Sequence, residues 1–248
     1  MEVIQTMGKN LTWSEAIEQV MLKNSYFATL KLLYEEAPKL KSFYGKTPHK
    51  TINERVQKDN RFTRLAPGIW ALSNFLDKLP DHLNPKVEKS EEDRQKITHS
   101  LVQGMFIEIG NIQGYKTYTP DKNSLFLKQK LCELTSLQEI PKFSYDHIIQ
   151  SAKYIDVIWF NSRLFPSNII EIEHSSNFKN SLVKFAELQD FQTKMTITAP
   201  QNRFKRYKVE INKSAFISIL KRTNFISYEK LEIFYNNQLE FKEFQNFR

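Results

Sequence analysis

Two strand-length apolar segments lie close together in the chain and constrain its fold more than any other feature. They are YIDVIWF at residues 154–160 and NIIEIEH at residues 168–174, and a loop containing Arg, Pro, Ser and Asn separates them. Both are rich in Ile and Val, whose branched side chains favour extended strands. The pattern predicts a buried β-hairpin. Three carboxylates, Asp156, Glu171 and Glu173, lie inside or beside these runs, although burying ionised carboxylates is costly.

The alternation of residues within the second segment suggests where these carboxylates lie. Successive side chains of a strand point to opposite faces, so Glu171 and Glu173 share one face while Ile170 and Ile172 share the other. If the first segment pairs antiparallel with the second, Asp156 joins the same cluster. Repulsion and desolvation both oppose such a cluster, and a divalent cation such as Mg²⁺ removes both costs. The alternative is a solvent-exposed sheet face, on which alternating Glu residues are common.

The length and composition of the chain set broader limits. With 248 residues the chain is long enough for two domains. The 36 Lys and Arg residues against 28 Asp and Glu residues give a net charge of +8, which suits a polyanionic partner but leaves nucleic acid, anionic membrane and simple solubility open. The single Cys132 forms no intramolecular disulfide, and neither a signal peptide nor a membrane-spanning stretch is recognisable. We therefore expect a soluble, cytoplasmic protein without a membrane partner.

A change of pattern near residue 85 predicts a domain boundary. The segment DKLPDHLNPKVEKSEEDRQK, residues 77–96, combines two prolines with a dense run of charges. The hydrophobic segments on its two sides also differ in type. We expect one domain over residues 1–84 and a second over residues 85–248.

The first domain is predicted to contain three helices followed by a hairpin. Thr12 and Glu15 have the spacing of a capping box at the start of a helix. Further helices are predicted over residues 29–37 and, after Pro48, over residues 49–59. Two short apolar runs then flank a Pro-Gly turn in RFTRLAPGIWALS, residues 61–73, which predicts a hairpin. Three helices and a hairpin make a winged helix-turn-helix.

Residues 10–73 also resemble a known family. The segments LTWSEAI and YGKTPHKTINERVQKDNRFTRLAPGIWAL are similar to the HARE-HTH module, a winged helix with an early Trp, a Gly-Lys-Thr-Pro turn and an Asp-x-Arg-Phe step before the wing. The resemblance implies DNA binding.

The charges of this segment agree with that implication. Between Pro38 and Arg64 eight bases face only two acids, Glu54 and Asp59, a balance suited to phosphates. Lys50, Asn53 and Gln57 are candidates for reaching base edges. The predicted DNA-binding residues of this domain are Lys46, Lys50, Asn53, Gln57, Arg61 and Arg64. The alternatives are a solvated helix face and a protein contact.

The second domain is predicted to be an α/β fold with a mixed sheet flanked by helices. The segment EEDRQKITHSLVQGMFIEIG, residues 91–110, has the pattern of an amphipathic helix that ends at glycine. A strand is predicted in QGYKTYTP, a short helix in SYDHIIQSAKY and a strand in KMTITAP. The segment RTNFISYEKLEIFYNNQLEF is predicted to close the sheet as a strand and a helix.

The hairpin carboxylates resemble the active site of the PD-(D/E)xK nuclease superfamily. In that superfamily an Asp of one strand and an acidic residue two positions before a Lys of the next strand form the site. Asp156 and Glu171 match the two acidic positions, whereas Glu173 stands where the Lys is expected. Some restriction endonucleases of the superfamily carry Glu-x-Glu there. The continuation EIEHSSNFKNSLVKFAELQDF, residues 171–191, is similar to restriction-endonuclease-type proteins, and the whole resemblance covers residues 90–240.

This resemblance implies roles for the site residues. Asp156 and Glu171 would bind one or two Mg²⁺ ions, and Glu173 would accept a proton from water or complete a metal shell. Glu108, near the end of the predicted long helix, is a candidate for an additional carboxylate. His174 is a candidate for phosphate contact, and Lys184 for a substitute for the missing lysine. For each of these three residues, the alternative is a role in the fold alone or simple exposure to solvent.

A basic segment after the predicted strand KMTITAP supports a DNA substrate. QNRFKRYKVEINK, residues 201–213, sets five bases, including Arg203 and Arg206, against the single acid Glu210. With Phe204 and Tyr207 interleaved, such a helix is suited to a DNA backbone. A solvated helix with its aromatic residues in the core is equally compatible with the pattern.

The sequence therefore predicts a Mg²⁺-dependent Type II restriction endonuclease acting on double-stranded DNA. A homodimer is the simplest way to supply the two active sites that cut both strands. One alternative is a non-catalytic DNA-binding protein derived from a nuclease. The other is a structure-selective repair nuclease.

Overall fold

The computed structural model describes residues 11–41, 48–66, 68–174 and 177–245. The chain divides into two compact units, Met1–Glu88 and Lys89–Arg248. In the first unit the helices are α1 (Trp13–Lys23), α2 (Leu30–Leu40) and α3 (Pro48–Lys58), and the strands are β1 (Phe27–Thr29), β2 (Phe62–Ala66) and β3 (Ile69–Leu72). A 3₁₀ segment, Ser73–Lys78, follows β3.

The three predicted helices of the first unit are present. The side chain of Thr12 accepts from the backbone N–H of Glu15, and the Glu15 carboxylate accepts from the N–H of Thr12, as the capping box predicts. Ile17 and Met21 of α1 are fully buried, so one face of this helix packs into the core. The first three residues of the predicted Gly-Lys-Thr-Pro turn, including Lys46, fall in residues 42–47, outside the described residues, and Pro48 begins α3.

The predicted hairpin forms, and it belongs to a larger sheet. β2 and β3 pair antiparallel with a register shift between Arg64 and Ala66. Gly68 adopts a φ of 68° at the turn, a conformation that glycine tolerates at little cost. The strand β1, which the sequence did not predict, adds to β3 and gives the order β1-β3-β2.

The second unit contains a mixed sheet flanked by helices, as predicted. In chain order its elements are α4 (Glu91–Ile112), β4 (Lys116–Tyr118), β5 (Leu125–Phe126), β6 (Gln129–Lys130), α5 (Leu131–Leu134), α6 (Asp146–Ala152), β7 (Val157–Phe160), β8 (Pro166–Ile172), α7 (Lys179–Ala186), β9 (Lys194–Ala199), α8 (Phe204–Ile211), β10 (Thr223–Ser227) and α9 (Tyr228–Gln245). Short 3₁₀ segments occur at Gln201–Arg203, Ser214–Phe216 and Leu220–Arg222.

Five strands form the sheet in the order β10-β9-β8-β7-β4. β8, β9 and β10 run parallel, while β7 is antiparallel to both β8 and β4. The hairpin predicted for the two apolar segments is thus present as β7 and β8. The two-stranded hairpin of β5 and β6 lies in a stretch where the sequence showed little periodicity, and it was not predicted.

Helix α4 packs closely because two of its residues lack a side chain. A Cβ at Gly104 would lie 2.1 Å from the ring of Phe126, and one at Gly110 would lie 2.7 Å from the Nε1 of Trp159. The expectation that the helix ends at Gly110 was wrong. The helix continues to Ile112, and Gly114, with a φ of 80°, follows its C-cap, because Gly110 serves packing against Trp159 and not termination.

A large apolar core lies between the sheet and the helices α7 and α8. Buried side chains of β7, β8 and β9, among them Ile158, Ile169 and Ile197, pack with Leu182 of α7 and Tyr207 of α8. The strands thus present apolar residues to helices on both faces, which explains their nearly continuous hydrophobic runs. In the part of the chain that the structure describes, no helix combines the length and apolarity needed to cross a membrane.

Candidate active site

The register of β7 and β8 places Asp156 opposite Glu171. Val157 pairs with Ile170, so the preceding residue, Asp156, faces the one that follows. The backbone N–H of Asp156 donates to Oε1 of Glu171 at 3.3 Å, and Oδ2 of Asp156 accepts from the N–H of Ile172 at 2.7 Å. Each carboxylate therefore accepts a hydrogen bond from the backbone of the opposite arm, at one end of the hairpin.

Glu171 is the buried member of the pair and is held by α7. Its side chain is only 4 % exposed. Lys184 Nζ lies 2.8 Å and 3.0 Å from its two oxygens, and the Ser181 hydroxyl lies 3.1 Å from Oε2. Lys184 also donates to the carbonyl of Tyr154 at 2.8 Å. The structure thus brings Lys184, which the sequence suggested as a substitute lysine, directly onto the second acidic residue.

Burial raises the pKa of Glu171 to about 8, and the negative charge of Asp156 adds to this effect. Lys184 and Ser181 act in the opposite direction but do not cancel it. The pair therefore carries an electrostatic cost that one lysine does not remove.

Glu173 lies just beyond β8 and reaches the same cluster through Ser181. Its N–H donates to the carbonyl of Thr198 at 2.8 Å, which extends the pairing with β9 by one residue. The Ser181 hydroxyl hydrogen-bonds to Oε1 of Glu173 as well as to Glu171. Because a hydroxyl has one proton, both bonds form together only if one carboxyl carries a proton, which agrees with the raised pKa of Glu171.

His99 of α4 approaches Asp156 from the other side. The Nε2 of His99 lies 3.5 Å from Oδ1 of Asp156. Burial opposes protonation of His99, but the contact with Asp156 and its negative charge prevail and raise the pKa of His99 above its usual value. The sequence analysis did not identify His99, because a single His within a helical pattern carries no indication of which strand it faces.

His174 packs beside His99, with ring centroids 5.6 Å apart. Its Nδ1 is 2.9 Å from the hydroxyl of Tyr228 on α9, while its Nε2 is buried and has no hydrogen-bond partner among the described residues. Burial and the neighbouring charge of His99 lower the pKa of His174 to about 4. At neutral pH His174 is therefore uncharged.

The two histidines line an open cavity of about 290 Å³. The other lining residues are polar or charged: Glu92, Gln95, Lys96, Asp121 and Ser124. Asp121 accepts from the Ser124 hydroxyl at 2.7 Å, and its charge also acts on His99. The sequence analysis missed Asp121 because it lies in a stretch with no recognisable periodicity.

Glu108 and His99 both lie on α4, but it is His99 that contacts Asp156. Glu108 accepts a hydrogen bond from the hydroxyl of Tyr235 on α9. Nine residues separate it from His99, which corresponds to about 13 Å along the helix axis. The structure therefore brings together Asp156, Glu171, Glu173, His174 and Lys184, and places Glu108 against α9.

The residues of the pair fit a hard cation in their chemistry. Mg²⁺ takes oxygen ligands and commonly uses only one or two protein carboxylates, and the repulsion between Asp156 and Glu171 is the cost that a cation removes. Among the residues that the structure describes, however, no three or more His, Cys, Asp or Glu side chains are arranged to hold an ion. Asp156 and Glu171 are thus candidate ligands, with the remaining positions left to water or substrate.

The candidate DNA-binding residues of the first unit differ in their surroundings. Lys50 and Gln57 are exposed and share a face of α3 with the half-buried Asn53, whose Oδ1 accepts from Gln57 at 2.8 Å. Arg64 of β2 is exposed. Arg61, in contrast, forms ion pairs with Asp59 at 2.7 Å and with Glu18 of α1 at 2.9 Å, which gives it a structural role in joining α1 to the start of β2.

The basic segment of the second unit forms α8 and the 3₁₀ turn before it. Arg206 is exposed, whereas Arg203 is half-buried, and its Nε has no hydrogen-bond partner among the described residues. Tyr207 is buried in the core, and Phe204 packs against it. The aromatic residues thus face inward, and the exposed face of α8 is basic.

Comparison with known proteins identifies the class to which this fold and site belong. Residues 78–246 match the family described as the Type II restriction enzyme NmeDI C-terminal domain, and the chain belongs to that family. The curated Type II restriction enzyme NmeDI of Neisseria meningitidis serogroup C is 29 % identical over 155 residues, which is 57 % of this chain and 43 % of the relative. The chain thus spans less than half the length of that relative. No solved structure gives a significant match.

Proposed function

We propose that the chain is a Mg²⁺-dependent endonuclease that hydrolyses phosphodiester bonds of double-stranded DNA, as a sequence-specific Type II restriction enzyme. The observation that carries the proposal is the pairing of Asp156 with the buried Glu171, with Lys184 on the latter, in a domain of a restriction-enzyme family. In this proposal Asp156 and Glu171 take the two acidic positions of a PD-(D/E)xK site, and Lys184 of α7 substitutes for its lysine. Glu173 occupies the usual lysine position.

We assign a separate role to each side chain of the proposed site. Asp156 and Glu171 would hold Mg²⁺, which when bound supplies positive charge to the scissile phosphate and makes water easier to deprotonate. Lys184 would keep Glu171 oriented and partly offset the charge of the pair. Glu173 would accept a proton from water or complete the metal shell. His174 would contact a phosphate oxygen. We expect water to attack the phosphate directly, without a covalent enzyme intermediate.

The first unit would hold the DNA. We propose a winged helix-turn-helix over residues 1–84 joined to a nuclease domain over residues 85–248. The exposed Lys50 and Gln57 on α3 and the exposed Arg64 on the hairpin support contacts to phosphates and base edges. Arg203 and Arg206 would add contacts from the nuclease domain.

The test is cleavage of plasmid and phage DNA, methylated and unmethylated, with Mg²⁺ or with EDTA, followed by sequencing of the fragment ends. Discrete fragments that require Mg²⁺ are expected, with a single recognition sequence at their ends. Cuts on the two strands related by a twofold axis would support a homodimer. Uncut DNA under every condition would contradict the proposal.

The first site variant is Asp156→Asn, which keeps the size of the side chain and removes its charge. Cleavage should fall by more than about 100-fold, because losing even the hydrogen-bond partners of a metal ligand typically costs about 10- to 100-fold. Binding to the recognition sequence, measured by gel shift, should persist. Asp146→Asn on the exposed end of α6 is the matched control and should cut normally. Unchanged cleavage by Asp156→Asn would remove Asp156 from the site.

A non-catalytic DNA-binding protein is the second candidate. Two observations favour it: Glu171 already has a cationic partner in Lys184, and the described residues contain no preformed three-donor cluster. Such a protein would bind DNA equally well with Mg²⁺ and with EDTA and would never nick it. The same gel-shift and cleavage assays therefore separate the two candidates.

A further inference from the structure

The Asp156 carboxylate is held from two directions by groups of different elements. Its Oδ2 accepts from the backbone N–H of Ile172 at 2.7 Å, and its Oδ1 lies 3.5 Å from Nε2 of His99 on α4. The side chain of Asp156 is only 17 % exposed and that of His99 only 26 % exposed. The contact with His99 is longer than a typical N–H···O hydrogen bond. It comes from α4, which lies far from Asp156 in the sequence.

We propose that His99 is a positioning residue for the metal site, which orients Oδ1 of Asp156 toward the ion. The inference rests on the proposed function and names a residue of α4 that serves it. An aspartate oxygen has lone pairs for more than one partner, so Oδ1 is able to contact His99 and an ion together. Hydrogen bonds to a ligating carboxylate restrict its rotation before the ion arrives, and loss of such partners typically weakens metal binding.

His99 is itself supported by a series of contacts. Its ring packs on His174 at 5.6 Å between centroids, and His174 is anchored by the hydroxyl of Tyr228 at 2.9 Å. This series connects α9, the end of β8, α4 and the start of β7. It places the imidazole of His99 at the boundary between the Asp156 carboxylate and the polar cavity of about 290 Å³ that His99 and His174 line. A ligand that enters this cavity therefore meets the same imidazole that orients Asp156.

The test compares His99→Ala with His99→Gln in the full chain. Binding of Mn²⁺ without DNA, measured from the electron paramagnetic resonance of the free ion, should weaken by about 10- to 100-fold in His99→Ala. The Mg²⁺ concentration that gives half-maximal cleavage should rise by a similar factor, with a smaller change in the maximal rate. His99→Gln keeps an N–H donor near the position of Nε2 and should recover most of the Mn²⁺ affinity.

The matched control is Gln95→Ala, one turn earlier on α4, which lines the same cavity and hydrogen-bonds to Glu91. This variant should bind Mn²⁺ normally. A lower melting temperature of His99→Ala with unchanged Mn²⁺ affinity would show a purely structural role and overturn the inference. If the unsubstituted chain binds Mn²⁺ through Asp156 and His99 but cuts no DNA, the inference about His99 stands and the nuclease proposal fails. Failure of the unsubstituted chain to bind Mn²⁺ without DNA would overturn the inference, whereas the cleavage assay decides the nuclease proposal separately.

Discussion

At the scale of single residues, the site is organised by one buried carboxylate. Glu171 is buried, and it has three partners: the N–H of Asp156 just before β7, and Ser181 and Lys184 on α7. Burial of a charge is tolerated only when it is paired and hydrogen-bonded. Lys184 is therefore as important to the folded state as to any chemistry, although it lies 13 residues after Glu171 in the sequence.

We expect Lys184→Met to destabilise the protein by about 1–3 kcal/mol above pH 8, where Glu171, whose pKa is about 8, is ionised and loses its cation. The value is below that of a fully buried pair, since Lys184 is 31 % exposed and water screens part of the interaction. Urea unfolding in the absence of divalent ions measures the change.

The double variant Lys184→Met with Glu171→Gln provides the control. It should be less destabilised than the sum of the two single variants, because the unpaired charge is then absent. Strict additivity would show that the two side chains do not interact.

At the scale of secondary structure elements, α4 organises one face of the sheet. Gly104 and Gly110 let Phe126, Thr117 and Trp159 approach the helix backbone, and the Nε1 of Trp159 donates to the carbonyl of Phe106 at 3.1 Å. This close packing determines where His99 lies relative to the start of β7. The periodicity of the segment predicted a helix, but not that its glycines serve as contact points.

Gly104→Ala tests this packing. Alanine favours a helix over glycine by about 1 kcal/mol, yet its Cβ would lie 2.1 Å from the ring of Phe126. Overpacking typically costs about 1–3 kcal/mol, so we expect a net loss of stability, measured by the urea midpoint. Adding Phe126→Leu should restore part of the loss. A net gain for Gly104→Ala alone would contradict the packing.

At the scale of the whole molecule, positive charge is distributed over both units. The net charge is +8, and exposed bases occur on α3 and the hairpin of the first unit and on α8 of the second. Charge of this kind favours a polyanion, and each phosphate contact contributes to the salt dependence of binding.

The salt dependence of DNA binding by the full chain shows which unit contacts phosphates. Lys50→Gln and Arg206→Gln should each reduce the slope of the logarithm of the binding constant against the logarithm of salt concentration by about 1. Arg61→Gln should instead lower stability with little change in slope, because Arg61 is paired with Asp59 and Glu18. An unchanged slope in Arg206→Gln would restrict DNA contact to other residues.

The amino-acid sequence alone determined the elements whose causes are local. The capping box at Thr12, the helices of the first unit and the hairpin of β7 and β8 follow from side-chain spacing and branching. The alternation in NIIEIEH also placed Glu171 and Glu173 together, since strand periodicity is a property of neighbouring residues. The pairing of Asp156 with Glu171 followed once that hairpin was assumed.

Only the tertiary structure decided which distant residues complete the site. His99 and Asp121 come from segments whose own patterns gave no indication of a site, and Glu108 is directed to Tyr235 on α9. Arg61 is drawn into ion pairs with Asp59 and Glu18. These outcomes depend on how helices pack against the sheet, and close packing is set by the shapes of residues far apart in the chain. Local spacing specifies the faces of an element, whereas the partner of each face is chosen by the whole core.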